Sequence, residues 1–508
     1  MGGGLLQLVA YGAQDVYLTG NPQITFFKVV YRRHTNFAIE AIVQTPTGGN
    51  TFGSRASFQI TRNGDLIHRV YFYCKIKAEN TVALVPNFGQ KLLKTVELEI
   101  GGQRIDKHYS EWLYIWNELS LPVGKREGYN TMVGANPRNI CTKLNMGQSY
   151  ELYVPLEFWF CRNVGLALPL IALQYHEVKI NIEYESESNM KDNTSTNFTY
   201  EEELLAGGVT NIVGGLDGSG FTSSSVVTFS SGSATALVNV DSGGKITGYT
   251  ITNPGSYTAV PTISVNVGTS ATASTVVLGG ANNSITTNKF ATAVAGQISL
   301  TSPTLWVDYI FLDTDERRRF AQLSHEYLIE QLQFTGTESI TKGDSMKSIR
   351  MNFNHPCKEL IWTVRNSEGS GIYWNNFSSG APPMVGGVPS SSSPFINDPL
   401  DSTNPITNCK IMLNGNDRMA PRSGEYFGIV QPYQHHEITP DKFHEGINVY
   451  SFAIKPEEHQ PSGTLNMSRI DTATLSVASS ITGNISVYAV NYNVLRILSG
   501  MGGLAYSN

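Results

Sequence analysis

The chain has 508 residues, 41% hydrophobic and only 15% charged, against a usual charged share of about 25%, and this excludes a disordered tail protein. Thirty-six basic against 42 acidic residues give a formal net charge of −6, which supplies no pull toward phosphate backbones or anionic membranes and argues against direct nucleic-acid binding. With 48 Gly and 22 Pro between short apolar runs, the composition is that of β structure with many turns, in two large domains or three smaller ones.

Taken in chain order, the first clear element is a strand over 69–77, where Val70, Phe72, Cys74 and Ile76 fall on one face and Arg69, Lys75 and Lys77 on the other. Val96, Leu98 and Ile100 alternate with Thr95, Glu97 and Glu99 in the same way, and Gly101-Gly102 ends that run. A helix follows: Trp112, Ile115, Trp116 and Leu119 stand at i, i+3, i+4 and i+7, with Ser110 as N-cap. It is expected to plug one end of a β sandwich. Runs at 151–158 and 173–184, rich in β-branched and aromatic residues, read as further strands.

Residues 206–300 are a different block, with Asp217, Asp241, Lys245 and Lys289 as their only charges. Disorder is one reading; a small inserted β domain is the favoured one, because Lys245–Val267 alternates around an Asn253-Pro254-Gly255 turn. After a strand at 305–312, residues 315–332 have a helical pattern in Phe320, Leu323 and Tyr327 behind an Asp313/Thr314 cap, although Tyr327–Phe334 also reads as a strand; this is the expected junction between domains. Strands are read at 347–364, 408–413, 447–454 and 485–498, and 366–404 reads as a surface loop.

Catalytic signatures are missing. Gly124-Lys125 is followed by Arg126 and Gly244-Lys245 by Ile246, so there is no phosphate loop, and neither G-x-S-x-G nor H-E-x-x-H occurs. His435-His436-Glu437 with His444-Glu445 is the best metal-like set, but adjacent histidines on a strand point to opposite faces, and ordinary loop histidines are the favoured reading. Arg317-Arg318-Arg319 is preceded by Asp313, Asp315 and Glu316, which cancel the local field and favour a salt-bridged junction over a phosphate grip. No catalytic residue, metal site or cofactor is assigned. Cys74, Cys141, Cys161, Cys357 and Cys409 form no C-x-x-C pair and read as buried hydrophobes in a reducing compartment. Neither a signal peptide nor a membrane-spanning run is expected, and Leu6 breaks a myristoylation motif at Gly2. Of the N-x-[ST] triplets at Asn193, Asn197, Asn282, Asn376, Asn466 and Asn484, Asn282 and Asn376 lie in expected surface loops and are the better glycan acceptors.

YGAQDVYLTGNPQITFFKVVYRRHTNFAIE (11–40), RNGDLIHRV (62–70), LPLIALQYHEVKI (168–180), VDYIFLDTDERRRFAQLSHEYLIEQLQF (307–334), NHPCKELIWTVR (354–365), PYQHH (432–436), FAIKPEEHQPSGTLNMSRID (452–471) and AVNYNVLRILSGMGGLAYSN (489–508) resemble, in the same order, blocks of the major capsid proteins of nucleocytoplasmic large DNA viruses. The resemblance spans the chain. It implies an all-β fold of two consecutive eight-stranded jelly rolls, no enzymatic activity, and a homotrimeric pseudo-hexagonal capsomer tiling the outer capsid of an icosahedral virion made in the host cytoplasm. It further implies an N-terminal arm at 1–24 that contacts neighbouring capsomers and minor capsid proteins beneath the shell. The first roll would span 25–325, interrupted by 206–300 as an outer surface unit, and the second 326–508. A jelly-roll surface protein binding host glycans through loop aromatics Tyr249, Tyr257, Tyr373, Trp374 and Phe377 is the alternative.

Overall fold

The fold is taken from a computed structural model of the chain. It describes 33–80, 82–135, 142–144, 146–191, 197–204, 209–214, 226–230, 234–253, 262–265, 274–278, 282–289, 298–366, 374–379, 404–440 and 446–506, together with Asn21. The arm at 1–24 otherwise lies outside the described residues, as do Cys141, Tyr257, Tyr373, His444 and Glu445.

Two sheets form the first roll. One places β1 (Phe37–Gln44) beside β16 (Ile298–Leu312), then β3 (Leu66–Ala78), whose far edge carries β6 (Ser149–Pro155). The other runs β2 (Arg55–Gln59), β7 (Val178–Tyr184), β4 (Leu93–Ile100), β5 (Gln103–Tyr109). Period two decides which residues line the core: Val70, Phe72, Cys74 and Ile76 of β3 face Val96, Leu98 and Ile100 of β4, all buried. The second roll repeats the order. Its β17 (His325–Ile340), β23 (Gly483–Leu498), β19 (Pro356–Asn366) and β21 (Ile447–Ser451) form one sheet, and β18 (Lys347–Arg350), β22 (Ala473–Ser479) and β20 (Ile406–Leu413) the other. In both rolls the first strand pairs with the last, and the last with the next strand of the same sheet.

Helix α1 (Ser110–Ser120) does not plug an end of one sandwich. It is wedged between the two rolls. Trp112 stacks on Trp116 at 5.6 Å and meets Tyr488 of β23 at 5.5 Å, and Thr363 of β19 donates to Glu111 at 3.0 Å. Both tryptophans are buried, so truncating either to Ala would cost about 3–5 kcal/mol. Ser110 is the first helical residue rather than the cap; Tyr109 holds that position in extended conformation and no side chain caps the helix. Helix α2 (Val123–Val133) follows.

The joint differs from the long helix expected over 315–332. Helix α3 spans Thr314–Gln322 behind the Asp313 cap, and the chain is already β17 from His325, because Leu323 takes extended angles and the following side chains pair across to β23. Arg317 pairs with Asp65 at 2.9 Å and Arg319 with Glu316 at 3.1 Å, the salt-bridged arrangement favoured above.

The low-charge block is a β unit on a ribbon. β8 (Asn197–Leu204) pairs with β15 (Asn282–Lys289), β9 (Val209–Gly214) with β14 (Ser274–Leu278), and a four-stranded sheet orders β12 (Ile246–Asn253), β11 (Thr235–Val240), β10 (Val226–Phe229) and β13 (Ile263–Val265). Val227, Ala236, Val238 and Ile246 make a small core of its own. On the return side, Ile298–Thr301 pair with Lys75–Ala78 and so belong to the frame. At the root, Ile298 N donates to Glu187 Oε1 at 3.5 Å, while Lys191 bridges to Leu84.

Candidate functional site

The described residues offer one large concentration of buried charge, and it lies at the seam between the rolls. Burying ions is costly unless each is paired, so such a cluster marks a place where geometry is tightly set. Glu330, on β17, forms ion pairs with Arg162 of the first roll at 2.7 Å and with Lys358 of β19 at 2.8 Å; His459 Nδ1 lies 3.5 Å away. A bulge between Cys357 and Glu359 inserts Lys358 as an extra residue in β19. Lys358 and Glu359 are both fully buried. His436 stands between two carboxylates, its Nε2 2.9 Å from Glu359 and its Nδ1 2.8 Å from Glu457. Tyr492 lies beneath the Lys358 ammonium, and Arg162 lies over Trp116.

Charge states follow from the pairing. Burial works against ionised Glu330, but Arg162, Lys358 and His459 hold its carboxyl down to about 2. Burial likewise disfavours charged His436, yet Glu359 and Glu457 raise it to about 9. Lys358 is pushed below its ordinary value by burial, with Glu330 acting against the shift. Arg162, Lys358 and His436 thus stand interleaved with Glu330, Glu359 and Glu457. An imidazolium that donates from both nitrogens has no lone pair for a metal, and among the described residues no group of three metal-binding side chains occurs. His436 is thus not the ordinary loop histidine expected from the sequence. His435 is half-buried, with Nδ1 2.9 Å from the Ile454 carbonyl.

Further bonds close the seam around this cluster. Gln331 donates to the Ile105 carbonyl, Leu332 N donates to Asp106 Oδ1 at 3.1 Å, and Asp106 also meets His108 at 3.0 Å. Trp374 donates to the Pro86 carbonyl at 2.8 Å. The C-terminal segment folds back onto the first roll: Tyr175 N donates to the Gly500 carbonyl at 3.0 Å and the His176 ring meets Gly502 O at 2.9 Å. Gly500 has φ +81°, and a Cβ there would sit 2.6 Å from the Tyr175 ring; one at Gly502 would sit 2.6 Å from Leu173. The tail's glycines are what lets it lie flat. Sequence blocks far apart in the chain, 168–180, 307–334, 354–365, 432–436, 452–471 and 489–506, therefore meet through these contacts.

The loop residues fall elsewhere. Asn376 is half-buried and its Oδ1 accepts from Ser378 N at 3.0 Å and Ser378 Oγ at 2.8 Å, in a turn whose Phe377 and Ser378 are buried. It is not on the open surface loop expected. Asn282 begins β15 opposite Leu204. Trp374 and Phe377 pack on Tyr114 with centroids 5.9 and 6.0 Å apart, which removes both from any glycan-facing surface, and Tyr249 is half-buried. Cys74, Cys357 and Cys409 are buried and Cys161 half-buried, with burial raising all four thiols.

Comparison with known proteins gives one answer. Residues 316–503 match the family described as large eukaryotic DNA virus major capsid protein, and residues 25–205 match the major capsid protein N-terminus. The chain is 43% identical to the major capsid protein of Pyramimonas orientalis virus and 39% identical to that of Paramecium bursaria Chlorella virus 1, with all of each chain covered. Among solved structures it is similar to a chain of the PBCV-1 virus capsid, with TM-score 0.66, 34% identity, and 95% of this chain and 100% of that chain covered. The Faustovirus major capsid protein, 13% identical with TM-score 0.61 over 96% of this chain and 94% of that one, shares the double jelly-roll fold.

Proposed function

Because the chain belongs to the large eukaryotic DNA virus major capsid protein family, we propose that it works as a homotrimer of double jelly rolls whose three copies give a pseudo-hexagonal capsomer. Its role is structural, in the capsid of the virion, and the family is not enzymatic. The observation that carries the trimer is the seam: two rolls of the same strand order held at one fixed angle by a buried network of ion pairs. Across the seam Arg162 of the first roll pairs with Glu330 of the second, while Gln331 and Leu332 bond to Ile105 and Asp106, so the two rolls act as one block. Three such blocks supply the six near-equivalent sides that hexagonal packing needs.

Residues 25–325 form the first roll in this reading and 326–508 the second. The inserted unit rises from the first roll and faces outward, and the arm at 1–24 lies beneath, against neighbouring capsomers and minor capsid proteins, with assembly in the host cytoplasm. Any host-glycan contact through the outer loops falls to the inserted unit, since Trp374 and Phe377 are buried in the seam. Electron microscopy of the purified protein tests the arrangement. Six-lobed particles are expected, and isolated two-lobed particles would contradict it.

A further inference from the structure

The two rolls repeat the same connectivity, so the seam inside one chain describes what a second seam would look like. In the second roll, the outer face of the β17–β23–β19–β21 sheet is covered by the first roll. At its centre Tyr488 of β23 is flanked by its register partners Phe334 of β17 and Ile361 of β19, and Trp112 of α1 packs on it at 5.5 Å. The first roll has the corresponding face on its β1–β16–β3–β6 sheet. There Trp306 of β16 is flanked by Val43 of β1 and Tyr71 of β3, in the same positions. Along β1, Phe37, Ile39 and Val43 alternate outward and are 59%, 52% and 43% exposed, while Tyr73 lies 4.8 Å from Tyr153 and 6.1 Å from Trp306 on the same face. A cleft of about 610 Å³ opens beside Tyr71 and Pro155. Helices α1 and α2 wall one side of that cleft, while the β1 side of the face leaves Phe37, Ile39 and Val43 open to solvent.

The covering element has a counterpart as well. In the first roll α1 follows β5 and precedes β6; in the second, the helical segment Tyr426–Val430 and Gln431–His435 follows β20 and precedes β21. Where α1 buries Trp112 and Trp116, this segment presents Ile429, Val430 and Tyr433 to solvent. Ile454, joined to it through the His435 bond, is exposed beside them. Tyr433 is 79% exposed. An apolar knob on one roll and an apolar aromatic face on the other, each matching half of the seam already formed within the chain, form a heterologous pair.

We propose that Ile429, Val430, Tyr433 and Ile454 of one copy dock on the Val43–Trp306–Tyr71 face of a second copy of this chain, Tyr433 taking the place beside Trp306 that Trp112 takes beside Tyr488. The inference rests on the trimer reading and names its contact. A knob and a face on each chain close a ring of three when the six rolls follow one another at equal steps, so that successive copies are related by twice the rotation from one roll to the next.

Native mass measurement of full-length wild type, Val43→Asp and Tyr433→Asp tests it, with near-UV circular dichroism as the check on folding. Each variant is expected to fold and to run as a single chain at micromolar concentration where wild type is a trimer. Mixing the two is decisive: one intact knob meets one intact face, the remaining ends are blocked, and a species of two chains appears without a third. Wild type and both variants all trimeric would overturn this contact and leave the trimer standing, whereas a monomeric wild type would overturn both. Should either variant fail to fold, the Val43→Cys/Tyr433→Cys chain treated with a short bis-maleimide replaces it, since Val43 is the register partner of Trp306. Covalent dimers and trimers are expected, and no inter-chain product would overturn the proposal.

Discussion

Substituting Glu330 by Gln removes one charge and almost no volume, which makes it a clean perturbation of the seam. The carboxylate is 4% exposed and serves Arg162 at 2.7 Å and Lys358 at 2.8 Å. Its carboxyl is held down to about 2 from an ordinary 4.5, and at about 1.4 kcal/mol per unit that difference corresponds to roughly 3 kcal/mol. Leaving Lys358, fully buried, without its counter-ion points the same way, since breaking a buried pair from one side costs about 3–5 kcal/mol. The sign with pH follows. A carboxyl whose folded value is depressed contributes fully above about 4.5, and the contribution fades as pH falls through about 2. Urea unfolding at fixed protein concentration should show Glu330→Gln destabilised by about 3 kcal/mol at pH 7, with the gap to wild type closing as pH drops toward 2. The double variant Glu330→Gln/Lys358→Met removes both buried charges and should recover most of the loss. A single variant within about 0.5 kcal/mol of wild type at pH 7, or a double no better than the single, would refute the claim that this network locks the rolls.

His436 carries the opposite dependence. Its folded value of about 9 lies above the ordinary 6.5, so its contribution, again about 3 kcal/mol, is complete below pH 6.5 and lost as pH rises through 9; the stability difference between wild type and His436→Gln should shrink over that window, and a difference independent of pH would contradict the assignment. For the inserted unit, joining Lys191 to Ile298 through a short Gly/Ser linker keeps the Leu84 bridge and the Ile298–Ala78 pairing. That variant should fold and assemble into the same number of chains as the full-length protein, because closing a loop of different length changes stability by only about 0.6 kcal/mol per doubling; aggregation or a changed number of chains would place the unit within the capsomer's interface.

Much of this architecture is legible as pattern. Alternation at Val70, Phe72, Cys74 and Ile76 and at Val96, Leu98 and Ile100 identifies both strands and their buried faces, because period two is a local property. Helix α1 is equally legible, but its position is not. Leu113, Tyr114 and Asn117 are buried together with the expected stripe, and a helix enclosed on all sides does not record in its periodicity which sheets enclose it. The charge network is the least legible element. Its members come from 162, 330, 358–359, 436 and 457–459, and within each run a Glu or Lys beside apolar residues reads as the solvent face of a strand. The bulge at Cys357/Glu359 breaks the alternation that this reading relies on. A carboxylate inside the apolar run Tyr327–Phe334 and the Lys358-Glu359 pair at the head of Leu360–Val364 were the available hints. The ribbon strand Asn197–Leu204 is hidden in the sequence for a related reason: Glu201, Glu202 and Glu203 give it the composition of the frame rather than of the low-charge unit it leads into.

If a single chain supplies one third of a pseudo-hexagonal building block, the folded protein in solution has the mass of three chains. Native mass spectrometry at micromolar concentration and neutral pH, where both the Glu330 and His436 pairs are charged, should give three times 55.6 kDa. A stable species of one or two chains, with the fold intact under the same conditions, would contradict it.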